Sequence, residues 1–354
     1  MAQFKWDSYS DQPAILKKEV KKRLRKGHLA EYLKLFAINL PLYPYFMIKS
    51  LLSAGEKDGF STPDPKEVIG ICVNLDKGAG QVELVEELGV KHLLIRVFLN
   101  DMENIDRYVE FAKSFGSDKE ILIAVIQSRE HIENLELLKR DIKTVFEKFS
   151  PICSEFQIGN AINRIKWGFV TTDEYLKFYK TVQEVRDSEF KDLKLIGSSV
   201  IDFEYHYTIR SLFNGYKIFY DKFSSLLYVD RRGSPNSKQM LFFDLKKKID
   251  FLYTIVNASK KSSNSIYITE VNWPISNTAP YAPTSEKECV SLEHYAQYMI
   301  EYFKTAMQSK KVERIYWHQL IAPGYGLVDN RGGKLEKYKA FYEFKKFLKG
   351  DSEK

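Results

Sequence analysis

Apolar positions along this chain follow two alternating rhythms. Short runs in which most residues are apolar occur over 67–75 (EVIGICVNL), 92–100 (HLLIRVFLN), 120–127 (EILIAVIQ), 155–163 (EFQIGNAIN), 193–201 (LKLIGSSVI), 223–230 (FSSLLYVD), 265–273 (SIYITEVNW) and 314–321 (RIYWHQLI). Between them, stretches such as IDRYVEFAKSF, NLELLKRDIKTVFEKF and EHYAQYMIEYFKTAM repeat their apolar residues at spacings of three and four, and the chain closes on KYKAFYEFKKFL. The first pattern is that of strands buried on both faces, the second that of amphipathic helices. Eight strand-helix units in succession predict a parallel sheet closed on itself. The fold class is therefore α/β, a (β/α)8 TIM barrel over 67–354 with a helical N-terminal extension over 1–66. An open doubly wound sheet competes, but NLDKGAGQ after the first run lacks the full glycine fingerprint of a phosphate loop.

The extension reads differently. LKKEVKKRLRKGHLAEYLKLF places apolar residues at helical spacing on a basic background, and AINLPLYPYFMIKSLL follows, apolar but expected to be broken by Pro41 and Pro44. Two prolines argue against a membrane span of ~20 residues. Two placements stay open: on an anionic membrane surface, or packed on the barrel or a second subunit. Residues 53–66, rich in Gly, Pro and acidic groups, read as a linker. Charge agrees with this division. Residues 1–50 hold ten Lys/Arg against four Asp/Glu, leaving +1 of the net +7 for the rest. A nucleic-acid-binding barrel would keep a positive face through the fold, so that class is disfavoured. Cys72, Cys153 and Cys289 form no disulfide or zinc pattern, and neither metal nor cofactor is expected. The polar start, without a cleavage pattern, leads to the expectation of a cytoplasmic protein, with the inner membrane surface as one of the arm's two open placements.

In a barrel the reactive groups close the strands at their C-terminal ends. Those positions hold Asn74 and Asp76, Arg96, Asn100 and Asp101, Gln127, Asn160 and Asn163, Asp202 and Glu204, Tyr228 and Asp230, Glu270 and Asn272, and Trp317, His318 and Gln319. Glu270 stands out, because it lies inside an apolar run, where an ionised side chain is costly unless it faces the mouth.

The runs FQIGNAINRIKW and IYITEVNWP resemble strands four and seven of the large glycoside-hydrolase superfamily of barrels with Gly-Asn-Glu on strand four and a lone Glu on strand seven. The resemblance spans about residues 67–349. It implies that Glu270 is a nucleophile, that Asn160 holds a sugar hydroxyl, that Arg96 orients the nucleophile, that Tyr228 lies beside it, and that Trp317 forms an aromatic floor. Where the superfamily has its acid/base Glu, this chain has Ala161. A retaining glycosidase needs two carboxyl groups ~5 to 5.5 Å apart, and alanine supplies none. Three explanations remain: an engineered exchange, a natural enzyme whose proton comes from elsewhere or whose leaving group needs none, or a barrel that binds glycans without cleaving them.

Asp230, between a strand end and Arg231 and Arg232, is the best substitute acid, and the arginine pair suits an acidic sugar or a sugar phosphate. Its alternative is an ion pair that holds the loop. Gln127, Asn163, Lys166, Asn272, Trp273 and Tyr325 complete the candidate substrate contacts. Trp167 is a sugar platform or a loop-packing ring, and His318 and His206 are either mouth residues or structural hydrogen-bonders. The loops NWPISNTAPYAPTSEKE and APGYGLVDNRGG, with Tyr325 and Asp329 expected to be exposed in the second, are candidate specificity loops. The expected function is a retaining-type glycosidase or transglycosidase acting on a bacterial surface polysaccharide or its precursor. The alternative is a catalytically silent glycan-binding or scaffold barrel. An oligosaccharide or polysaccharide is the expected partner, and oligomerisation is open.

Overall fold

The computed structural model describes residues 4–52, 63–229 and 233–350. Eight parallel strands close into a barrel: β1 (Ile69–Val73), β2 (His92–Phe98), β3 (Glu120–Ile126), β4 (Glu155–Ile158), β5 (Lys194–Ile201), β6 (Lys222–Leu226), β7 (Ile266–Val271) and β8 (Arg314–Trp317). Closure is made by β8 pairing with both β7 and β1, with Ile315 opposite Ile268 on one side and Ile69 on the other. Each apolar run of the sequence yields one strand, as the alternation predicts. A main helix follows each strand, preceded after β3 by the short helix Arg129–Glu133, and these form the outer layer: α3 (Gln81–Leu88), α4 (Ile105–Lys113), α5 (Leu135–Phe149), α6 (Thr172–Glu189), α7 (Tyr205–Leu212), α8 (Leu245–Asn257), α9 (Leu292–Gln308) and α10 (Lys339–Leu348). Polar caps start several of them. The side chains of Asn134, Thr171, Asp244 and Ser291 each accept from the N–H three residues on, satisfying donors that a helix leaves unpaired, at about 1 kcal/mol each.

Alternation along the strands sorts side chains into two cores. Leu94, Leu122, Ala124, Ile126, Ile196, Tyr267 and Tyr316 fill the lumen, while Ile71, Leu93, Ile95, Ile123, Phe156, Ile268 and Ile315 pack outward against the helices. Gly70 is required at the bottom, because a Cβ there would stand 2.6 Å from the Tyr316 ring. The same end is sealed by Tyr267, whose hydroxyl donates to Glu155 (3.1 Å) beside a Lys222–Glu155 ion pair at 3.0 Å. The barrel is a filled core whose mouth lies at the C-terminal ends of its strands.

The N-terminal segment has two structured parts. Helix α1 (Lys18–Arg25) buries no residue and ends at Gly27, whose φ of 96° suits glycine. Helix α2 (Leu29–Leu52) then runs along α7 and α8. It is continuous through Pro41 and Pro44, unlike the expected break. Each proline leaves a carbonyl one turn earlier without its helical donor, a cost of roughly 3 kcal/mol. Docking on the barrel offsets that. Phe46 is buried against Phe213, Asn39 Nδ2 donates to the His206 carbonyl (2.9 Å), and the Tyr32 hydroxyl donates to the Val170 carbonyl (2.9 Å). The opposite face stays bare: Leu29, Leu33, Phe36, Leu40 and Ile48 are 56 to 69% exposed. By length and composition α2 could cross a bilayer. Of the expected linker, residues 53–62 lie outside the described residues, and Pro65–Val68 form one helical turn leading into β1.

Ahead of α1, Trp6–Asp7 pairs antiparallel with Gln12–Pro13. This small hairpin lies over the barrel mouth. Lys166 Nζ donates to Gln12 Oε1 (2.6 Å), Gln12 Nε2 to the Pro283 carbonyl (3.1 Å), and Gln319 Nε2 to Asp11 Oδ2 (2.8 Å).

Candidate active site

Strand β7 is buried throughout, and strict alternation would send residue 270 outward along with Ile266 and Ile268. A bulge changes this. Between Ile315 and Trp317 of β8 there is one intervening residue, whereas their partners Ile268 and Val271 are separated by two. The extra residue in β7 shifts the facing of the side chains, so Val271 packs outward and Glu270 turns into the mouth.

A buried carboxylate costs several kcal/mol unless it is paired and hydrogen-bonded. Glu270, 7% exposed, has both oxygens held: Arg96 Nη2 donates to Oε2 (2.8 Å) and the Tyr228 hydroxyl donates to Oε1 (2.6 Å). The guanidinium is itself fixed by His318, whose Nε2 accepts from Nη2 at 3.0 Å. Burial, together with the positive charges of Arg96 and Lys77, holds His318 well below its ordinary range, so the ring is neutral and able to accept. Burial alone would weaken proton binding by Arg96, but Glu270 and Asp11 outweigh it and raise its value. Asn272 Nδ2 donates to the His318 carbonyl (2.6 Å), and Tyr325 stacks on the His318 ring with centroids 5.6 Å apart. Glu270, Arg96, Tyr228, Asn272, His318 and Tyr325 thus meet around one chamber.

The strand-four side of the mouth is built otherwise. β4 ends at Ile158, short of the expected 163, because Gly159 and Ala161 take positive φ values of 84° and 45°. Ala161 is fully buried in the apolar lumen cluster with Trp167, Ile201 and Tyr228. Gln127 is used up by backbone: its Oε1 accepts from the Asn160 N–H (2.9 Å), and its Nε2 donates to the Asn160 and Trp167 carbonyls (2.8 Å each). Asn163 straps this turn to β5 through both the N–H and the carbonyl of Ile201, and also donates to Glu204. Gln127 and Asn163 therefore hold the loop, and Gln127 also lines a cavity beside the mouth. Arg164 takes up Glu204 (2.7 Å) and Asp202, so these two acids are engaged in ion pairs. Asn160 is buried, with its Nδ2 lacking a hydrogen-bond partner among the described residues.

Several expected site residues lie elsewhere. Trp317 and Trp273 are buried on the outer side of the sheet, stacked on each other at 6.0 Å, with Trp317 Nε1 bonded to the Tyr295 hydroxyl and Trp273 Nε1 to the Gly233 carbonyl. Trp317 shares the outward parity of Ile315, and so cannot floor the mouth. Tyr325 and Asp329, expected to be exposed, are both buried; Asp329 accepts from Arg331 and the Tyr338 hydroxyl. Asp230 and Arg231 lie outside the described residues. Lys166 and Trp167 do line the mouth, with Trp167 edge-on to Trp6 and beneath the Arg96 guanidinium at 5.9 Å.

Sequence reasoning missed the hairpin and its Asp11. This residue, φ 54°, is only 5% exposed, and its carboxylate sits 3.3 Å from Lys77 Nζ and 3.9 Å from Arg96 Nη1. A Tyr-Ser-Asp-Gln-Pro turn was the only local signal, and nothing local tells a turn which distant mouth it covers. With the hairpin seated, the chamber above Glu270 measures about 80 Å³, and a larger cavity of about 670 Å³ opens beside it toward Asn100, Asp101 and Arg129.

No family model and no curated protein matches the chain. Solved structures do share its fold. A family 1 β-glucosidase from Thermotoga maritima superimposes with a TM-score of 0.58 at 12% identity, over 84% of this chain and all of that one. The virulence factor SghA from Agrobacterium tumefaciens gives 0.58 at 9% identity over 81% and 97%. The GH39 enzyme from Xanthomonas axonopodis pv. citri gives 0.56 at 11% identity over 81% and 67%. At such identities the likeness is one of fold, and the chain carries the (β/α)8 barrel that these proteins share.

Proposed function

We propose that the barrel is a retaining-type glycosidase or transglycosidase with Glu270 as its nucleophile, working on an envelope polysaccharide or its lipid-linked precursor. The observation that carries this is the clamp on Glu270, in which an arginine and a tyrosine fix both oxygens of a buried carboxylate at a barrel mouth. An oriented carboxylate attacks the anomeric carbon, expels the leaving group and forms a glycosyl ester. Water or an acceptor hydroxyl then displaces the ester from the opposite face, the one that the leaving group vacated, releasing its proton to solvent, so that two inversions give net retention. Because residue 161 is alanine, strand four gives the departing oxygen no proton. A leaving group that departs as a stable anion, such as a phosphate ester of the sugar, removes that need. The fold shared with a β-glucosidase and with a protein solved with its substrate analog salicin agrees with a glycoside substrate.

The test is covalent trapping. A 2-deoxy-2-fluoro glycoside with a dinitrophenolate leaving group is expected to release one equivalent of phenolate and to label the peptide that contains Glu270, read by mass spectrometry. Glu270→Gln is expected to abolish labelling and to lower turnover of dinitrophenyl glycosides by on the order of 10⁴-fold or more. The second reading, a glycan-binding barrel, is favoured by the apolar packing of Ala161. Oligosaccharide binding without any labelling would establish it instead.

A place at the membrane surface belongs to the same proposal. The bare stripe Leu29, Leu33, Phe36, Leu40 and Ile48 lies on α2, next in the chain to the basic α1, and an apolar face beside Lys and Arg suits an anionic bilayer. Sedimentation with phosphatidylglycerol vesicles is expected, and Leu33→Glu with Phe36→Glu is expected to abolish it. A dimer in solution that buries this stripe, with no vesicle binding, would overturn the placement.

A further inference from the structure

We infer that the pocket filled by Asp11 is the recognition site for an anionic sugar, and that the N-terminal hairpin holds it closed with a carboxylate of its own. The inference rests on the glycoside-processing reading only in that a sugar ring is taken to lie over Glu270.

The donors that meet Asp11 come from three places in the barrel: Gln319 Nε2 at 2.8 Å, Lys77 Nζ at 3.3 Å and Arg96 Nη1 at 3.9 Å, all on Oδ2. The Gln319 side chain is further held by Asn74, which donates to its Oε1, and by its own bond to the Tyr325 hydroxyl. Charge gives the set its purpose. With the hairpin lifted, Arg96 and Glu270 balance each other, and the mostly buried Lys77 keeps its ion pair with Asp76 (3.2 Å), which is on the solvent side at 58% side-chain exposure. Lys77 and Arg96 then lose the one anion that they share among the described residues, and a buried cation stripped of a charged neighbour gains from a replacement.

Asp11 supplies that anion imperfectly. A separation of 3.9 Å is too long for a hydrogen bond, and Arg96 Nη1, on a residue 3% exposed, has no hydrogen-bond partner among the described residues. A guanidinium fork with one arm on Glu270 and the other unfilled fits a ligand carboxylate that settles without the constraint of a peptide backbone. Space points the same way. About 80 Å³ above Glu270 is far below the several hundred cubic ångströms of a ligand pocket, and Asp11 lies on the wall between this chamber and the 670 Å³ cavity, so its withdrawal joins the two. The hairpin's own ladder is only two residues long, and such hairpins are marginal alone, so it is the contacts with the mouth, Asp11 among them, that hold it in place. The sugar class is therefore one that carries a carboxylate on the ring, a uronic-acid type, with its acid group in the place of Asp11.

The experiment measures binding of methyl glucuronide, methyl glucoside and glucose 6-phosphate to the full-length protein by titration calorimetry, in wild type, Asp11→Ala, Asp11→Asn and Asp11→Ala with Lys77→Met. Removing the Asp11 charge is expected to raise glucuronide affinity about tenfold or more with little change for the glucoside, and Lys77→Met to reverse most of the gain. Asp11→Asn keeps the side-chain shape, so a gain in that variant alone still supports the inference if Asp11→Ala unfolds. Equal gains for glucuronide and glucoside would overturn it, leaving a merely steric plug. Preference for the phosphate would overturn the carboxylate assignment. Covalent labelling of Glu270 by neutral sugars without charge-selective binding would remove this inference and keep the glycosidase reading. Charge-selective binding without labelling would do the reverse.

Discussion

Two quarters of the same barrel mouth are built on opposite principles. Around β7, β2 and β6 a carboxylate is buried and fully answered: Arg96 and Tyr228 on its oxygens, a neutral His318 on the arginine, Asn272 on the His318 carbonyl. Around β4 and β5 the described residues place no buried acid at the mouth; Ala161, Trp167 and Ile201 pack as an apolar floor, and Asp202 and Glu204 are turned to Arg164. The contrast separates two duties that a retaining mechanism joins. One quarter is organised to stabilise and aim a single negative charge, and the other pairs its acids off with Arg164 around an apolar floor. A site of this kind favours chemistry in which the leaving group looks after its own proton.

Substitutions that hurt one quarter and spare the other test the contrast. The largest effect is expected for Arg96→Met, which strands Glu270 as an unpaired buried charge; a loss of about 3–5 kcal/mol in a urea melt is expected. A loss below 1 kcal/mol would mean that the carboxylate is solvated and the clamp unimportant. Tyr228→Phe removes one bond to a charged oxygen while keeping the ring, and is expected to cost about 1.5–3 kcal/mol, read either as stability or as lost turnover of activated glycosides. The acid side of the pH profile should follow the histidines. Burial first, with Arg96 and Lys77, depresses His318, and burial with Arg314 takes His92 down to about 4. Unfolded histidine binds its proton near pH 6.5. The unfolded chain thus takes up protons that the fold refuses, so stability present above about 6.5 drains away as pH falls toward 4. Urea midpoints at pH 7.5 and 5.0 measure the loss, and His318→Gln is expected to shrink it. The smallest effect belongs to the apolar quarter. Ala161→Gly relieves a left-handed backbone at the loss of one methyl group, and a net change within about 1 kcal/mol is expected.

The barrel was legible because strand runs and helical stripes are local patterns, and eight of them leave little topological freedom. Glu270, Arg96 and Tyr228 were legible as strand-end polar residues in the right order. Parity was the signal overlooked: Ile315 and Trp317 are two apart, so both face the helices, and Trp317 follows its neighbour outward. The β7 bulge that rescues Glu270 from the same fate leaves no mark in ITEVNW. The continuity of α2 through Pro41 and Pro44 comes from the surface of α7 and α8, which a reading of the helix alone does not contain. Asp11 was the hardest to see, since its meaning depends on Lys77, Arg96 and Gln319, which are 66 to 308 residues away along the chain.

Only the short stretch 14–17 separates the hairpin from α1. At about 3.3–3.6 Å per residue, that leash lets the hairpin leave the mouth but never diffuse away. A sugar entering the chamber therefore competes with a tethered rival, not with water, and dilution of the protein does nothing to weaken that rival. The measured dissociation constant is the intrinsic one divided by the fraction of time the mouth stands open, so selectivity can be set by how tightly the leash is held as well as by the pocket itself.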